Sequence, residues 1–148
     1  MRPLLEIDER TANYVLQTRR QFEDLRQVAG QLAGFLVLSA SGANTASPDH
    51  RLLETAAELH GSAVDGVHSA RPSPRALAHH RSLMDAGAEL GLAIAAARKG
   101  IDIDPVLIPL RRAYGHLQNA THELPGFEMV SFQHACCAVG QSPRRIEP

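Results

Sequence analysis

Hydrophobic positions repeat along this chain with the period of an amphipathic helix, in four blocks. In the first, from about Asp8 to Ser39, Val15, Phe22, Ala29 and Leu36 recur every seven residues, with Thr11, Thr18, Leu25 and Leu32 as a companion row. Two such rows predict a helix with a bundle or coiled-coil seam. Arg19, Arg20, Glu23, Asp24 and Arg26 lie largely off that seam, and Asp8 and Glu9 stand where the positive end of a helix dipole favours acid. The second block, roughly Pro48 to Ser69, carries Leu52, Ala56, Leu59, Ala63 and Val67 on one stripe, weakened by Gly61 and Gly66. A third block ends at Lys99-Gly100 and aligns Leu83, Gly87, Leu90, Ile94 and Ala97. The fourth aligns Val106, Leu110, Ala113, Leu117, Ala120 and Leu124.

The punctuation agrees with the periodicity. Ser47-Pro48, Ser73-Pro74 and Asp104-Pro105 each set a capping side chain before a proline, which is how helices start. The first helix is expected to end near Ser41-Gly42, followed by a small polar linker, Ala43 to Ala46. Pro109 falls in the first turns of the fourth block and lacks a backbone donor, so that start is expected to be irregular or kinked. Beyond Pro125-Gly126, Phe127 to Gly140 is dense in apolar residues, and Met129, Phe132, Cys136 and Val139 fit a short helical stripe. The predicted architecture is all-α: a four-helix bundle with a short C-terminal segment docked on it. Residues 1–140 form a single helical-bundle domain in this reading, and 141–148 a frayed tail with little to bury.

Glycine pairs sharpen one detail. Gly30 with Gly34, and Gly87 with Gly91, stand four residues apart in the two longest predicted helices. Smooth faces of this kind let backbones approach closely. The expectation is that helices 1 and 3 meet there, or that two chains do.

Composition narrows the function class. The 148 residues are 44% hydrophobic with a net charge of −1, and the charges alternate in sign, so nucleic acid is not an expected partner. The longest apolar stretch, around Leu32 to Ala40, is well short of a bilayer span, so no membrane association is expected. Met1 to Leu5 gives way at once to acidic residues and reads as no secretory leader. Cys136 and Cys137 are neighbours, a geometry that strains a disulfide, so free thiols and a cytoplasmic address are the reading.

Eight histidines raise the question of metal or acid–base chemistry. His50 with Glu54 makes a His–carboxylate pair at helical spacing, but no repeated Glu-x-x-His pattern is present, so a di-iron centre is not supported. His60, His80 and His116 sit beside the buried stripes of three helices and would form a buried polar or ligand site if they converged at one level; flank residues bonded to neighbours are the commoner outcome. His134, Cys136 and Cys137 supply soft ligands suited to zinc or copper(I), with His122 or a second chain completing the set. Packing of two small core thiols is the plainer account. His60-Gly61-Ser62 lacks the lysine expected of a phosphotransfer histidine. Arg111-Arg112 with Tyr114 and His116 suits an anion pocket, although such a run on an amphipathic helix is more often a solvated face. No nucleophile elbow, phosphate loop, dinucleotide fingerprint or His-Glu-x-x-His motif is present. The reading is therefore a non-catalytic interaction or regulatory module, homodimeric or bound to a protein partner. A metal- or cofactor-binding bundle and a small-molecule enzyme with a pocket between helices stand as alternatives.

Overall fold

The computed structural model describes residues 7–42, 50–100 and 102–129. Four α-helices follow in order: α1 Glu9–Ala40, α2 Arg51–Ser69, α3 Leu77–Lys99 and α4 Asp104–Glu123. A single 3₁₀ turn, Pro74–Ala76, leads into α3. The helices pack as an all-α bundle in which α3 lies most extensively on α4, and α1 on α2. No described helix is long and apolar enough to cross a membrane.

Each helix exists because one stripe of it is removed from water. On α1 both predicted rows point inward, but a third row, Tyr14, Val28 and Phe35, is buried as well. The buried face of α1 is thus wider than a coiled-coil seam, as a helix surrounded by several neighbours requires. On α3 and α4 every residue of the predicted stripes is buried. On α2 the stripe is Leu53, Ala56, Ala63 and Val67, with Leu52 and Leu59 at its half-buried margins. Burying Leu25, Leu32, Leu83, Leu90 and Leu117 at 0% exposure contributes about 1.5–3 kcal/mol each relative to leaving them in water.

The ends show where local chemistry departs from expectation. Asp8 caps α1, its Oδ1 accepting from the Thr11 N–H at 2.8 Å. Gly42 follows the last turn at φ +70°, a left-handed conformation that costs glycine little, and its N–H reaches the Ser39 carbonyl at 3.4 Å. His50 caps α2, accepting from the Leu52 N–H at Nδ1 over 3.1 Å. That hydrogen bond engages one of the two ring nitrogens, and Ser47-Pro48 lies outside the described residues. Ser73 precedes Pro74 but makes no cap bond, because its hydroxyl is engaged with another helix. Asp104 is the first helical residue rather than the cap, and α4 runs on through Pro109. Pro109 is buried near the helix start. After α4, Gly126 at φ +94° turns the chain back over Val15, whose Cγ1 is 3.6 Å from where a Cβ would lie.

Candidate functional site

Every fully buried hydroxyl or imidazole among the described residues lies at one end of the bundle. Thr11, Tyr14 and Thr18 belong to the first turns of α1, and Ser73, His79 and Ser82 to the entry of α3. Thr11 donates its hydroxyl proton to Asp8 Oδ2 at 2.9 Å, which makes Ser73 the donor in the 2.6 Å bond between the two hydroxyls. Ser82 Oγ lies 3.0 and 3.1 Å from the two carboxylate oxygens of Glu123 on α4. Tyr14 Oη and His79 Nδ1 are 2.9 Å apart, joining α1 to α3 across 65 residues of sequence. These bonds link three helices where apolar contact alone would not fix their angular register.

His79 is the centre of that end. Its ring is edge-on to Tyr14 and lies 4.1 Å, centroid to centroid, from Phe127, which packs against Phe22 at 5.3 Å. Burial, reinforced by the neighbouring His80, lowers the His79 pKa to about 4, so the imidazole is neutral at pH 7. Its Nε2 is buried and makes no hydrogen bond. Burial likewise pushes the Tyr14 phenol well above its usual range, with Glu123 adding to the rise. His80 is lowered by burial and then by His68. Asp8 is lowered by the Thr11 amide and hydroxyl. His79, at 0% exposure between two aromatic rings, is shut off from solvent, and the hydrogen bonds of this cluster join helices.

His79 was not among the residues that the sequence singles out, while its exposed-side neighbour His80 was. Nothing local distinguishes two adjacent histidines on an amphipathic helix; the distant partners Tyr14 and Phe127 do. His60, His80 and His116 do not form one level. His60 Nε2 is 2.7 Å from the Gly87 carbonyl, whereas His80 lies seven residues nearer the start of α3, about 10 Å along its axis. Among the described residues no three His, Cys, Asp or Glu side chains gather as a metal site. His122 is exposed near the end of α4, and His134, Cys136 and Cys137 lie outside the described residues.

The glycine expectation is half corrected. Gly87 and Gly91 are close-packing positions, but their neighbour is α2: a Cβ would stand 3.0 Å from Val64 Cγ2 and 3.3 Å from His60 Cε1. A Cβ on Gly30 or Gly34 would meet nothing within 4 Å. Among the described residues, no side chain or helix packs on the glycines of α1.

Gly30 belongs to the largest cleft described in the bundle, a groove of about 440 Å³ between α1 and α4. Its floor is Ala29, Gly30 and Ala33 on one side and Leu107 and Leu110 on the other, with Met129 at one wall. Arg26, Arg111 and Tyr114 stand around it. The anion-pocket reading of α4 is therefore divided: Arg111 and Tyr114 line the groove, while Arg112 and His116 do not. An adjoining polar pocket of about 210 Å³ shares Arg26 and is lined by Arg19, Glu23 and Glu128. A smaller slot, about 160 Å³, lies between α2 and α3 beside His60 and His68. Small side chains on one helix facing leucines on another leave an apolar depression of the size and character that small ligands and anchoring side chains occupy. The chain matches no protein-family model, no curated protein and no solved structure, so a functional reading stands on this geometry alone.

Proposed function

We propose that the chain is a non-catalytic helical interaction or regulatory module whose working surface is the groove between α1 and α4. The observation that carries this reading is the open apolar floor around Gly30, in the largest of the clefts described among these residues. The buried polar groups support it from the other side, since they are spent on joining helices and open onto none of the three clefts described. The test uses a neutral environment-sensitive dye, Nile red, and the variant Gly30→Leu. A Cβ at Gly30 meets nothing within 4 Å, so a leucine there starts into open groove space, and it favours the helix. Saturable binding of one dye per chain, lost in Gly30→Leu with the circular dichroism spectrum unchanged, is the expected result. Binding that is unsaturable or indifferent to Gly30→Leu removes the groove as the working surface.

Self-association is a second reading, favoured by the outer face of α1. Leu16 and Val37 are 71% and 68% exposed and stand at multiples of seven residues from Gly30, in register for a helix of a second copy. Light scattering at micromolar concentration is expected to give twice the chain mass, reverting to one in Leu16→Glu/Val37→Glu. A single-chain mass for the unaltered protein refutes it.

A further inference from the structure

We infer that the α1/α4 groove selects an apolar monocarboxylate, such as a medium-chain fatty acid, with its tail on the alanine–leucine floor and its carboxylate between Arg111 and Arg26. The inference rests on the groove being the working surface and adds what it recognises.

The argument is one of charge complementarity. Arg26 and Arg111 both line a cleft whose floor is otherwise hydrocarbon, and among the described residues neither guanidinium has a carboxylate within ion-pair distance. Arg26 donates one N–H to the Glu128 carbonyl oxygen at 3.0 Å, which steadies the side chain and leaves the rest of its fork unused. A ligand covering the floor lies beside both arginines, which line the same cleft, and displaces part of the water around their guanidiniums. A neutral ligand gives nothing in return, whereas a carboxylate accepts two parallel hydrogen bonds from an arginine fork and offsets the desolvation. Glu23 and Glu128 line the polar pocket on the other side of Arg26 and disfavour a second negative charge there. The site is thus matched to one carboxylate on an apolar chain. A volume of about 440 Å³ lies within the range of small-ligand clefts.

The experiment is isothermal titration of the full chain with dodecanoate and with dodecanol, below their self-association concentrations, repeated for Arg111→Gln, Arg26→Gln and Gly30→Leu. Dodecanoate is expected to bind one per chain at least tenfold more tightly than dodecanol. Arg111→Gln is expected to weaken dodecanoate five- to twentyfold and leave dodecanol unchanged. Arg111 is exposed, so its variant retains the fold; thermal unfolding of each variant verifies this. Gly30→Leu is expected to abolish both. Equal affinity for acid and alcohol, with no effect of Arg111→Gln, overturns the carboxylate inference and leaves the groove reading intact. Failure of both ligands to bind overturns the two together. One ligand per two chains overturns the single-chain site, assigning the groove to a contact between copies.

Discussion

The two ends of this bundle are held together by different physics. At the end built from the start of α1, the start of α3 and the close of α4, hydroxyls, a phenol, an imidazole and a carboxylate meet in matched pairs over 2.6 to 3.1 Å. At the opposite end the interior is the apolar cluster that includes Leu25, Val28, Leu32, Phe35, Leu90, Ile94, Val106 and Leu110. Hydrogen bonds are directional, so each partner at the polar end has one workable position. Apolar contact is not directional, so the other end tolerates a row of Ala29, Gly30 and Ala33 that leaves a neighbour unmet. The hydrogen-bonded end is closed and the apolar end carries the groove, so the cleft lies where the packing rule is most permissive.

The sharpest test of the contrast is Leu32→Ala at the apolar end. A fully buried leucine lost beside few polar groups is expected to destabilise by about 2–5 kcal/mol in urea unfolding, with no dependence on pH between 4 and 7. The polar end is expected to differ in that same pH window. His79 has a pKa of about 4 in the folded chain against 6.5 when unfolded, so the unfolded state binds more protons between those values. Stability therefore falls as pH drops from 6.5 toward 4, by an amount on the order of 3 kcal/mol, with His80 acting in the same direction. His79→Gln is expected to flatten most of that slope; an unchanged slope would mean the polar end does not exclude protons. Next in size, Tyr14→Phe leaves His79 Nδ1 without its bond and is expected to cost about 1–3 kcal/mol, measured by thermal or urea unfolding. Smallest, and opposite in sign, Gly30→Ala at the groove is expected to stabilise by about 0.5–1 kcal/mol, since the added methyl meets nothing and alanine favours the helix.

Much of the apolar end was legible in the sequence because periodicity is a local signal. The stripes of α3 and α4 were read residue by residue, and α1 ended where Gly42 permits a left-handed turn. The polar end was not legible, because its meaning lies in pairs far apart in the chain. Ser73 before a proline has the form of a cap and serves instead as a donor to Thr11, 62 residues earlier. His79 and His80 are equivalent on paper and are separated only by Tyr14 and Phe127. The glycine pairs were legible as smooth faces and not as to partner: Gly87 and Gly91 receive α2, and Gly30 and Gly34 receive nothing. The groove follows from that second outcome, and Arg111 and Tyr114 gained their place only once α1 was known to stand back from α4.

The contact of Phe127 with Phe22 has a consequence for biosynthesis. The cover of the polar end is encoded 105 positions after the helix it covers. At 5–20 residues per second, α1 waits about 5–20 s on the ribosome before that ring is made. Until then Phe22 and the His79 imidazole lack the ring that covers them, so the nascent chain passes through an interval in which this hydrogen-bonded end is incomplete.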